Sequence, residues 1–195
     1  NEGQNGREMK DIKTKRDNNK GEVAFNHWIF NAWGNKYEEL KKDTEIPIKI
    51  NEKLKMKIFS PEIVLEGGSI EVNGSGVCMT SEQCLLNKNR NPNLSKVQIE
   101  QYLRDYLGIN EVLWLKEGIA GDDTDGHIDD IARFTNKNTV LCCFSDKGDE
   151  NYNALKENFE ILENYRIGGK KINVSKLPVP KVEYEGQPLP ASYAN

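Results

Sequence analysis

Short apolar runs alternate along this chain with longer stretches whose apolar positions recur at helical spacing. Val23–Asn31 reads as a strand and Ile50–Lys57 as a short helix. Ile63–Val72 predicts a strand, Asn73–Gly76 a hairpin turn and Val77–Thr80 the return strand. A helix follows. Ser95 offers its N-cap, and Gln98, three residues on, completes a capping box. Val97, Ile99, Tyr102, Leu103, Tyr106 and Leu107 recur at mostly helical spacing, and Gly108 stops the helix. Glu111–Leu115 then predicts a buried strand.

The same order returns at a spacing of about 60 residues. Ile128–Phe134 predicts a strand, Thr135–Asn138 a turn and Thr139–Phe144 the return. Asn151–Tyr165 predicts a helix with Leu155, Phe159, Ile161 and Leu162 on its apolar side, ended by Gly168 and Gly169. Lys171–Leu177 predicts the closing strand. Each unit is strand, strand, helix, strand. The expected organisation is therefore a partial module over residues 1–62, whole modules over 63–120 and 121–187, and the start of another over 188–195.

The repeat has a chemical consequence. Glu66 lies seven residues before the turn residue Asn73, and Asp129 lies seven before Asn136. Two carboxylates thus occupy equivalent starts of equivalent units. If the units pack around an axis, both face one pocket; otherwise each acid merely ends a strand in solvent.

Composition narrows the partners. The 195 residues suit one domain or part of a larger one, and the net charge is −4. No basic run is long enough to follow a phosphate backbone, so nucleic acid is not an expected partner. An acidic balance tolerates a cationic small molecule. No stretch approaches the roughly 20 apolar residues of a membrane span. Asn1–Lys20 is polar and charged, with neither an initiator Met nor a signal-peptide pattern. Both ends are expected to be cuts within a longer protein. Cys78, Cys84, Cys142 and Cys143 have no CxxC spacing, so they read as buried structural thiols in a reducing, cytoplasmic setting.

Gly121–Asp130 is the most unusual stretch, with five carboxylates and one His in ten residues. A calcium loop is one reading, but placing Gly126 at its sixth position puts Gly121 first and Ala132 twelfth, where carboxylates are needed. No metal ligand is assigned. A solvated acidic turn is the second reading. The third is an acid-base site. In a strand His127 and Asp129 would share a face, the His moving protons and the Asp gripping a cation. His27 has no acidic neighbour and reads as a structural or surface residue. Gly67 and Gly68 mark a bulge or a close ligand approach. Trp33 beside Gly34 reads as core or as an aromatic wall.

Four ordered segments carry a resemblance. They are Phe30–Tyr37, Leu65–Ser69, Leu85–Pro92 and Gly121–Phe134. The chain resembles the agmatine deiminase and bacterial (Porphyromonas-type) peptidylarginine deiminase family over residues 21–195. The resemblance implies an α/β fold, a pseudo-five-fold propeller of ββαβ modules. It implies Glu66 and His127 as catalytic residues, and Asp129, Asp123 and Trp33 as substrate-binding residues.

The implied chemistry is covalent deimination of a guanidino group, with agmatine giving N-carbamoylputrescine and ammonia, or peptidyl-arginine giving citrulline. A free-arginine deiminase fits these motifs less well. No cofactor is implied, and a homo-oligomer is compatible with the full length. The nucleophilic Cys is expected beyond Asn195, and none of the four cysteines matches it. Arg16 and Asp17 are not followed by the family's x-Gly-Pro, so no role is carried to them. The chain alone is expected to be inactive. A non-catalytic fragment and a metal-binding loop are the competing readings.

Overall fold

The computed structural model describes residues 23–195; Arg16 and Asp17 lie outside that range. The architecture is mixed α/β, with two three-stranded sheets of identical connectivity. In the first, Ile70–Val72 runs antiparallel to Val77–Ser81, which pairs in parallel with Glu111–Leu115. In the second, Ala132–Asn136 runs antiparallel to Thr139–Phe144, which pairs in parallel with Asn173–Pro178. A helix makes each parallel crossover: Lys96–Leu107 in the first unit and Tyr152–Asn164 in the second.

Local chemistry explains the elements. Asn73 Oδ1 accepts from the amides of Ser75 and Val77 and so closes the first hairpin. Ser95 and Gln98 form a reciprocal capping box, and Gly108 leaves the helix at φ 66°, a left-handed conformation that glycine adopts without a Cβ clash. Ile99 and Leu103, four apart, bury one face of that helix. Val97 does not belong to this face and is 70% exposed.

Strand alternation then divides the core. Cys78 and Trp114 point to the side packed by Ile99 and Leu103. Val77, Met79, Leu113 and Leu115 point to the other side, against Leu155, Phe159 and Leu162 of the second unit. Buried Asn158 joins the units: its Oδ1 accepts from Lys116 N and its Nδ2 donates to Glu117 O, both at 2.7 Å. Across the seam, Glu71 of the first sheet accepts the Phe134 amide of the second at 2.9 Å and pairs with Arg133 at 3.1 Å.

Several expectations need correction. Ile63–Val72 is not one strand. Ser69 N and Oγ both bond back to Glu66 O, folding Gly67–Ser69 into a 3-10 turn before the strand starts at Ile70. Ile128–Phe134 likewise opens with a 3-10 turn, Ile128–Asp130, and the strand starts at Ala132. Gly168 and Gly169 do not end the helix; they turn a small hairpin between Arg166–Ile167 and Lys170–Lys171. The N-terminal strand shortens to Ala24–Asn26, parallel to Lys57–Phe59. The short helix lies at Ile46–Leu54, earlier than expected, with Pro47 in its first turn. Among the described residues, no helix is long and apolar enough to cross a membrane.

Candidate active site

The two 3-10 turns are packed against each other, and this brings three of the predicted residues, Glu66, His127 and Asp129, together. Glu66 precedes the first turn and is 6% exposed. His127 precedes the second and is also buried. Gly68 abuts both His127 and Asp129: a Cβ added there would stand 2.5 Å from His127 Nδ1 and 2.8 Å from Asp129 Oδ2. His127 Nδ1 and Asp129 Oδ1 are 3.9 Å apart. They meet across a 3-10 turn, not on one face of a strand, because Asp122 Oδ2 takes the His127 amide out of any ladder at 3.1 Å.

Three buried polar atoms in this cluster have no hydrogen-bond partner among the described residues: the carboxylate oxygens Glu66 Oε2 and Asp129 Oδ1, and the ring nitrogen His127 Nε2. Burying such atoms unpaired is costly, so their clustering marks this as the candidate ligand site, and the two carboxylate oxygens in it call for donors.

The carboxylates of the acidic stretch have separate tasks. Asp122 holds the turn, accepting from the amides of Thr124, Gly126 and His127. Asp123 is exposed at the outer end, where its carboxylate accepts from the Tyr37 hydroxyl. Asp125 receives Lys36, Asn89 and Arg90. Asp130 is buried, and its Oδ1 accepts from Asn195 at 3.3 Å.

Arg90 was given no role by sequence reasoning, yet it is central. Its side chain is fully buried. Nε donates to Glu66 Oε1 at 2.8 Å, Nη1 to Asn89 Oδ1 at 2.9 Å and to Asp125, and Nη2 to Thr124 O at 2.7 Å. Nothing local marks such a residue; the one signal is an arginine within the Asn-rich segment Asn87–Pro92.

Trp33 belongs to an aromatic group. It meets Phe30 and Tyr37 edge to face, with ring centroids 5.1 and 5.7 Å apart. Next to it Gly34, at φ 80°, leaves room for Arg90 and Asn89, which an added Cβ would strike at 2.7 and 2.3 Å. His27 bonds to Thr44 O and lies outside the cluster.

Burial sets the electrostatics. It lowers His127 to about 4, with nearby Asp122 opposing and Arg90 reinforcing the shift, so the ring is neutral near pH 7. Burial raises Glu66, and Arg90 offsets only part of that. Burial also raises Asp129, against Arg133. For Asp125 burial pushes upward, but the bonds from Lys36, Asn89 and Arg90 prevail and hold it low. All four cysteines are buried and free. Cys84, nearest the cluster, is pushed by burial to about 12 and is not a ready thiolate.

Two like-connected units that meet at paired 3-10 turns, with Glu66, His127 and Asp129 gathered there, define an α/β protein with a buried acid-imidazole cluster. The Porphyromonas-type peptidyl-arginine deiminase family matches residues 9–195, and the chain belongs to that family. It is 41% identical to agmatine deiminase of Medicago truncatula, over 86% of this chain and 46% of that protein. It is 40% identical to agmatine deiminase of Pseudomonas aeruginosa, over 86% of this chain and 48% of that one. A C. jejuni agmatine deiminase structure with substrate bound superposes with a TM-score of 0.78 and 41% identity, covering 89% and 51% of the two chains. An Enterococcus faecalis agmatine deiminase structure gives a TM-score of 0.81 and 34% identity, covering 89% and 55%. The chain spans about half the length of the relatives it matches.

Proposed function

We propose that this chain supplies the acid-base and cation-binding half of a guanidino-group deiminase acting on agmatine, to give N-carbamoylputrescine and ammonia. The observation that carries this is the gathering of Glu66, His127 and Asp129 at the paired turns, with Glu66 Oε2, His127 Nε2 and Asp129 Oδ1 left without a partner among the described residues. A guanidinium presents N–H donors along flat edges, and carboxylates meet them with charge-assisted bonds. Asp129 and Glu66 are assigned to the guanidinium, Asp123 to the distal amine and Trp33 to the wall of the site. The name of the family favours a second substrate, peptidyl-arginine. The two ββαβ units are read as part of a five-module propeller in the full-length protein.

The chemistry begins with His127 as base. A neutral imidazole takes the thiol proton of a cysteine, and the thiolate attacks the guanidinium carbon. None of the four cysteines fits this role, so the thiol is assigned to the part of the relatives' length that this chain does not cover. The tetrahedral adduct expels one nitrogen as ammonia, which takes the proton from His127, and leaves a thiouronium. Water gives a proton to His127 as it attacks. Collapse of the second adduct breaks the C–S bond, and the sulfur recovers a proton from His127. The ureido product leaves, and the remaining proton goes to ammonia. His127 therefore acts as base and acid in each half.

The test is expression of the full reading frame that encodes this chain, with ammonia release measured from agmatine and from an arginyl peptide. Turnover of agmatine is expected, with kcat collapsing in His127→Asn and KM rising in Asp129→Asn. Retention of wild-type turnover when Glu66, His127 and Asp129 are each replaced would refute the proposal. Residues 1–195 alone are expected to release no ammonia.

A further inference from the structure

We propose that Arg90 is a positioning residue, whose fork fixes the Glu66 carboxylate and locks it to the turn that carries His127. This inference rests on the deiminase reading and deepens it. Arg90 does not belong to the group of unpaired atoms. Nε holds one oxygen of Glu66, and that leaves Oε2 as the oxygen without a partner. The two terminal nitrogens hold Asn89, Asp125 and Thr124 O. One guanidinium thus spans residues 66, 89 and 124–125, three segments distant in sequence.

The geometry argues for orientation over simple stability. Placing Arg90 and Glu66 out of water costs free energy that their attraction only partly recovers, so a buried pair is a weak stabiliser. What the fork does supply is direction. A carboxylate with one oxygen fixed at 2.8 Å has its second oxygen fixed as well. The other end of the fork is anchored independently: Lys36 and Asn89 hold Asp125, and Gly34 leaves the space that Arg90 and Asn89 fill. Arg90 also opposes the upward push of burial on Glu66, keeping that acid more ionised beside a cation. A lysine would reach one partner at a time and would lose the fork.

The experiment uses Arg90→Gln in the full reading frame, with kcat/KM for agmatine measured against pH and folding checked by thermal melting. Two changes are expected. The plateau of kcat/KM falls about 100-fold, the size of effect that slight misplacement produces. The acidic limb moves to higher pH, because Glu66 without its cation takes up a proton more readily. A folded variant with a wild-type plateau, or with an unmoved acidic limb, overturns the proposal. If Arg90→Gln does not fold, Arg90→Lys keeps the charge and loses the fork. Its plateau is then expected to fall, and a wild-type plateau again overturns the idea. A wild-type enzyme with no activity on either guanidine is a separate result; it removes the deiminase reading, and this inference with it.

Discussion

Gly68 and His127 are in such close contact that the position has no room for a methyl group: a Cβ on Gly68 would stand 2.5 Å from His127 Nδ1. Gly68→Ala is therefore expected to push His127 and Asp129 out of place while the fold survives. Overpacking of this kind costs about 1–3 kcal/mol. The loss in kcat/KM should reach about 100-fold. Steady-state kinetics and a thermal melt on one preparation check this, and unchanged kcat/KM counts against the site.

His127 and Asp129 should fail in different ways. His127→Asn removes the proton carrier, so kcat drops by about 10³-fold, within the range for acid-base groups. Asp129→Asn keeps the shape but removes a charged acceptor, so KM for agmatine rises by roughly 10–100-fold. Equal effects of both variants on kcat alone would contradict the assigned roles.

Asp130 makes stability depend on pH. Burial, with Asp122 and Asp129 nearby, raises it from 3.8 to about 6. The folded state thus binds this proton more tightly than the unfolded state. The stabilising contribution is full below pH 3.8 and is lost as pH rises through about 6. Asp130→Asn removes that loss and should stabilise the chain by about 1–2 kcal/mol at pH 7 and little at pH 4. Melting curves at both pH values decide it; an equal gain at each would point to another cause.

Ser95 offers a control remote in role from the chemistry. Ser95→Ala breaks the capping box of helix Lys96–Leu107. Stability should fall by about 1 kcal/mol, with catalysis unchanged. Denaturant midpoints and kcat/KM measured together check this.

Chelation should leave turnover intact. Glu66, Cys84 and His127 do place potential ligand atoms within 4.8 Å of one another. However, Arg90 already holds one Glu66 oxygen. Burial also keeps the Cys84 thiol protonated, near 12. Dialysis against EDTA is expected to change nothing. Activity lost on dialysis and restored by zinc would contradict this.

Much of the scaffold was legible because its signals are local. The Asn73 turn, the Ser95–Gln98 box and the Gly108 stop each act within a few residues, and each stands where the sequence places it. The site was legible in part because the repeat puts Glu66 and Asp129 at matching positions. Their true backbone was not, since the 3-10 turns depend on Ser69 folding back to Glu66 and on Asp122 capturing the His127 amide. Arg90 was illegible for a different reason. Its partners lie 24 and 35 residues away, and a side chain that reaches so far leaves no period to read.

The Glu71 carboxylate has a consequence for how the chain behaves among other chains. Open strand edges invite foreign strands, and the outer edge of Ala132–Asn136 faces this risk at the Phe134 amide. Glu71 occupies that amide with a charged side chain and so joins two sheets without merging them. Loss of the carboxylate would leave an adhesive border, so aggregation on storage, before any loss of catalysis, is the expected first symptom of damage at this seam.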